Sequence, residues 1–175
     1  MIANSVANRI SCKNIDLNGH SFHRTIILEL EKLLEDVIGV EESKSFISMV
    51  ADKVGALIYE QYKKELNNES LSIETIAHVL VDLKRRIGGE FRISEISKDA
   101  IVLLNTKCPF GTNVVNKKPL CNMTANVFGK IVSSELDYAA VELNKTIANG
   151  DGHCHVIIHL TPSGDFEGRV NEYFG

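Results

Sequence analysis

Hydrophobic residues recur every three or four positions through the first half of the chain and every second position through much of the remainder, so the pattern predicts helices first and strands later. Phe22, Ile26, Leu30, Leu33, Leu34 and Val37 form one helical stripe, which Gly39 ends as a C-terminal glycine does. A second helix is predicted from about Ser43 to Leu66, with Phe46, Val50, Val54, Leu57 and Ile58 on its apolar side. A third starts at a Ser72 cap, carries Ile73, Ile76, Ala77, Leu80 and Leu83, and stops at Gly88-Gly89.

The period then falls to two. Phe91 to Ile96 and Ala100 to Leu104 read as strands joined by a tight turn around Lys98-Asp99. A polar loop from Asn105 to Pro119 leads into a fourth helix, roughly Leu120 to Leu136, and two strands follow, Ala139 to Ile147 and His153 to Leu160. Adjacent strands with short connections predict an α+β domain: N-terminal helices, then β-β-α-β-β with a four-stranded antiparallel sheet whose two hairpins lie side by side. The expected organisation is a flexible N-terminal arm over 1–19, one domain over 20–160 and a C-terminal tail over 161–175. The first two helices are more amphipathic than one small sheet can cover, which predicts a homodimer built on them.

Composition narrows the function classes. At 175 residues the chain can bury a core without disulfide staples. Its net charge is -4, and its basic residues are dispersed, which argues against direct nucleic-acid binding. The one compact basic cluster, Lys84-Arg85-Arg86, reads as the last turn of a helix. No apolar run reaches the length of a membrane span, and Met1 to Gly19 lacks the apolar core of a signal peptide, so a cytoplasmic protein is expected. In that compartment the four cysteines are expected to be thiols or metal ligands rather than disulfides.

Three of those cysteines stand at turn-rich junctions: Cys108 before Pro109-Phe110-Gly111, Cys121 in the first turn of the fourth helix, and Cys154 after Gly150-Asp151-Gly152-His153. Alternation along the last strand turns Cys154, Val156, Ile158 and Leu160 to one face and His153, His155 and His159 to the other. Three such positions can converge at one end of a sheet, and a helix N-terminus favours a thiolate at Cys121. The residues alone leave two readings open, soft-metal ligands or buried free thiols, and the separations are not those of a zinc finger. The histidines read as a polar outer face, while Cys12, in the polar arm, reads as an incidental thiol. His20, His23 and His78 carry no partner pattern. The chain has no nucleophile elbow, Walker loop or dinucleotide fingerprint, and side chains of strand neighbours point apart, so Cys154 is poorly placed to use an adjacent histidine as base; no enzyme is expected.

The strings Cys108-Pro-Phe-Gly, Leu120-Cys121-Asn-Met-Thr-Ala-Asn-Val-Phe-Gly129, Tyr138-Ala-Ala-Val141 and Ile147-Ala-Asn-Gly-Asp-Gly-His-Cys154-His-Val156 resemble the methanogen output domain family, small sensory domains often attached to signalling proteins. The chain also looks like the wider 4-vinyl reductase superfamily, and its cysteine pattern is similar to that of iron-sulfur repressors of the Suf type. The resemblance implies a 4-vinyl reductase-like fold, a homodimer, and an iron-sulfur cluster, 4Fe-4S favoured, held by Cys108, Cys121 and Cys154, with zinc as the alternative. It implies a sensor reporting redox state, gas or light to a signalling partner; the second reading is a module for an organic effector with structural zinc or no metal. The chain has no helix-turn-helix pattern, so a DNA output would belong to that partner.

Overall fold

We describe the protein from a computed structural model, whose described residues are 2–15, 17–115, 118–163, 166, 168 and 170–175. Asn18 caps helix α2 (Gly19–Ile38) through a reciprocal hydrogen-bonded box with Ser21, and Gly39, with φ of 88°, turns the chain into α3 (Val40–Glu65). Ser72 caps α4 (Ile73–Arg86) as its sequence predicts. The hairpin β1 (Phe91–Ile96) and β2 (Ala100–Asn105) precedes α5 (Lys118–Leu136), which is followed by β3 (Tyr138–Lys145) and β4 (Cys154–His159). Residues 116 and 117 of the connection into α5 lie outside the described residues.

Two predicted regions differ. The expected N-terminal arm contains a helix, α1 (Ile2–Ser11), whose described side chains are exposed. The expected tail supplies β5 (Val170–Phe174), so the sheet has five strands rather than four, all antiparallel in the order β1-β2-β4-β3-β5. The two predicted hairpins do lie side by side, joined where β2 pairs with β4. The short β5 carries one strong inward anchor, Tyr173, whose hydroxyl donates to Asn126 on α5. A single anchored residue in five gives too weak an alternation to read from sequence.

One face of the sheet is dry. Ile101 and Leu103 from β2, Val156 and Ile158 from β4, and Ala139 and Val141 from β3 pack with Ile76 and Leu80 of α4 and Phe128 and Ile131 of α5. α3 lies on α5, and α2 on α3. At the far end of α5 the Glu135 carboxylate accepts from the Tyr59 hydroxyl at 2.8 Å, the Lys63 ammonium at 3.0 Å and the Leu71 amide at 2.8 Å. Burial pushes this carboxyl up, but those three donors more than offset it and leave it below its ordinary pKa.

Two outcomes test this packing. Gly129 lies under the Tyr173 ring, where an added Cβ would stand 2.0 Å from a ring carbon. Alanine in a helix interior gains about 1 kcal/mol over glycine, whereas overpacking of this kind costs about 1–3 kcal/mol. Gly129→Ala is therefore expected to lower the melting temperature; a stabilised variant would place β5 elsewhere. Because the folded pKa of Glu135 is depressed, its contribution is present above the unfolded carboxyl pKa of about 4.3 and lost as pH falls through the lower folded value. Glu135→Gln should cost about 1–3 kcal/mol near pH 6 and, in denaturant titrations, should lose less stability on acidification than the parent.

Candidate functional site

The chain brings its three junction cysteines to one cavity. β2 pairs with β4 so that Asn105 stands opposite Cys154, both turned to the core side at the strand ends. The next residues turn away from the sheet, and Cys108 opens a turn closed by the Gly111 amide donating to its carbonyl at 2.9 Å. Pro109 rests against Gly89, just beyond the end of α4. Cys121 enters from the first turn of α5. The loop between β3 and β4 is tied into shape by Asp151, whose carboxylate accepts from the Thr146 amide at 2.8 Å, and by the Thr146 hydroxyl, which accepts from Asn149 at 3.1 Å.

All three cysteines line a cavity of about 180 Å³ walled mainly by apolar side chains, among them Val54 and Ile58 of α3, Leu83, Phe91, Met123 and Val156. Polar groups stand beside each sulfur. The Asn105 side-chain amide donates to the Cys154 sulfur at 3.6 Å, while its carbonyl accepts from the Glu90 and Lys107 amides. The Phe110 and Gly111 amides near Cys108, and the Thr146 hydroxyl and Ala148 amide near Cys121, act to hold those thiols down. Such donors favour sulfur as thiolate. Burial outweighs them in the free protein: it raises the Cys108 thiol and pushes Cys121 up to about 11, where the neighbouring charges of Cys154 and Cys108 add to the shift. The expected thiolate-favouring effect of the α5 N-terminus on Cys121 is overridden by this desolvation.

Lys84 also lines the cavity, and sequence reading missed it. Arg85 and Arg86 do form the expected exposed turn, both paired with Asp82, but Lys84 is only 5% exposed. It lies four residues after Leu80 and seven after Ala77, on the buried stripe of α4, and that spacing was the available signal. Its ammonium donates to the Thr124 hydroxyl at 2.8 Å and sits over the rings of Phe128 and Phe91, 5.1 and 5.6 Å from their centroids. Burial draws its pKa down to about 8 against the opposing pull of the three thiols, the largest from Cys108.

The remaining candidates lie outside this cavity. Cys12 is exposed on α1's C-terminal side. His155 and His159 are on the opposite sheet face: Asn144 Nδ2 meets His155 Nδ1 at 2.9 Å, and His159 Nε2 pairs with Glu142 at 3.3 Å. Among the described residues, no group of three or more Cys, His, Asp or Glu side chains is already gathered closely enough to hold a metal ion. The donor set suits a soft metal or an iron-sulfur group, three sulfurs with polar groups beside them and one cation, but ligation would need the sulfurs to draw together around it. The Cys108 turn is not the apolar-poor loop its sequence suggests, since Phe110 and Val114 pack with Leu28 of α2, Leu120 and Ala148. No helix among the described residues is long and apolar enough to cross a membrane.

The fold is shared with several solved structures. The phenol-responsive sensory domain of the transcription activator PoxR, solved with phenol, is 14% identical, with a TM-score of 0.66 over 78% of this chain and 74% of that one. A trafficking protein particle complex subunit 3 from Naegleria fowleri, covalently bound to palmitic acid, is 13% identical, with a TM-score of 0.55 over 89% of this chain and 99% of that one. An Fe(II) unliganded H-NOX protein from K. algicida is 16% identical, with a TM-score of 0.51 over 80% and 74% of the two chains. A comparison with the curated proteins finds no match. The sequence pattern of methanogen output domain 1 matches residues 26–159, well over half of the chain, which therefore belongs to that family.

Proposed function

We propose that the protein is a sensory and signalling module of the 4-vinyl reductase-like type, not an enzyme, in which Cys108, Cys121 and Cys154 hold an iron-sulfur cluster, 4Fe-4S favoured. The observation that carries this reading is that all three cysteines line one partly buried cavity, with polar groups beside them. Hydrogen bonds to thiolate sulfurs tune a bound cluster, and three protein ligands leave one position for another group, which makes the site responsive. Family membership and a fold shared with a phenol-responsive sensory domain support the sensory part. The module reports redox state, gas or light to a signalling partner in the cytoplasm, without contacting nucleic acid or membrane itself. A second reading has a specific observation behind it: the cavity walls are mainly apolar and the sulfurs are not pre-gathered, as suits an organic effector with zinc or no metal.

The signalling unit is a homodimer joined through α2 and α3. Phe22, Leu30, Leu33 and Val37 on α2 and Met49 and Leu57 on α3 are all more than half exposed, Val37 at 79% and Leu57 at 65%, and solvent does not stabilise so continuous an apolar face. A second copy of the same face covers it symmetrically.

Two measurements test these statements. Protein purified anaerobically should be brown, absorb near 400 nm (about, as iron-sulfur clusters do) and contain iron and sulfide. Serine at Cys108, Cys121 or Cys154 should abolish the colour, while Cys12→Ser retains it. Colourless wild-type protein containing zinc or no metal would favour the effector reading. Sedimentation at micromolar concentration should give a dimer for the parent and a folded monomer for Leu57→Glu; a parent monomer contradicts the interface.

A further inference from the structure

Lys84 poses a problem that the ligand set alone does not solve. A buried ammonium is stable only when another group balances its charge. No carboxylate pairs with it among the described residues; its neighbours are a neutral hydroxyl and two aromatic faces. The anionic groups within its electrostatic reach are the three cysteines, once ionised. Three thiolates around a divalent ion carry one net negative charge, and one ammonium at the same cavity cancels it. An apolar wall would make that balance matter, since charges there are weakly screened.

We propose that Lys84 is the fixed counter-charge of the thiol site, a positioning residue that favours an occupant held by all three sulfurs over the empty cavity. This rests on the reading of Cys108, Cys121 and Cys154 as ligands and adds to it a residue that touches no metal. The same ammonium also donates to Thr124 on α5, which fixes where the charge stands in the cavity. In the empty protein Lys84 carries its charge at a disadvantage; filling the site removes that disadvantage.

The test uses metal-free protein under reducing, anaerobic conditions, titrated with cobalt(II) chloride and followed by the thiolate-to-cobalt charge-transfer absorption. Lys84→Met keeps the length of the side chain without charge, and Lys84→Gln keeps a donor toward Thr124 without charge. Both should bind cobalt about 10- to 100-fold more weakly than the parent, the usual effect of removing an outer partner of a metal site. Empty Lys84→Met should melt no lower than the parent, which separates lost charge from lost fold. Alkylation of Cys108 by iodoacetamide, mapped by mass spectrometry, should be slower in both variants, because the neighbouring cation that lowers its thiol is gone. Cobalt affinity within twofold of the parent, or full rescue by Gln, overturns the counter-charge. A parent that shows no thiolate-cobalt band refutes the ligand reading instead, and slower alkylation in both variants then still upholds the role of Lys84 toward Cys108.

Discussion

The close seating of α5 between α3 and the sheet is the constraint on which the thiol site depends. Two glycines set it. On the α3 side, a Cβ at Gly55 would lie 3.0 Å from the Lys130 Cβ and 3.3 Å from the Val127 Cα; on the sheet side, Gly129 lies beneath Tyr173. Interiors are packed too densely to absorb a methyl group at such points without movement. Helix α5 therefore has little freedom to shift, and Cys121 at its start is held at a defined height above the ends of β2 and β4. Hydrophobic burial supplies the stability, and the glycines decide the spacing at which it is obtained.

This geometry ties the cavity to the helices that carry the exposed apolar face. Val54 and Ile58 of α3 line the cavity, and Leu28 of α2 packs in the cluster around Cys108 and Phe110. A change at the sulfurs thus has two direct mechanical routes, one into each helix. A sequence reading with Cys108 on a polar loop leads instead to a local response, confined to that loop and the start of α5. The small cluster under the loop instead ties Cys108 to α2 through Leu28 and Phe110.

Much of the architecture was legible because local signals agreed with tertiary demands. The Gly39 break, the Ser72 cap and the alternation of Val156 and Ile158 are each set by residues within one or two turns. That Cys108, Cys121 and Cys154 line one cavity was legible only as something three turn-rich junctions can do, and the family resemblance rather than their spacing singled them out as a set. Lys84 was hidden by its neighbours: Arg85 and Arg86 made a basic turn look uniformly exposed, although helical spacing turns only the lysine inward. Strand β5 escaped because its place depends on a long-range contact, Tyr173 on Gly129, that neither segment announces alone. Helix Ile2–Ser11 did carry a signal that the reading passed over, since Ile2, Val6 and Ile10 recur every four residues among polar neighbours.

The central claim is that one cavity gathers a metal group onto three sulfurs. Anomalous diffraction at the iron absorption edge, from crystals grown anaerobically, tests it most directly. The account predicts a strong peak in the cavity within bonding distance, about 2.3 Å, of the sulfurs of Cys108, Cys121 and Cys154, with the Lys84 ammonium beside it. An iron peak at the His155 and His159 face or at Cys12, or a cavity filled by organic density with no anomalous signal, would contradict it.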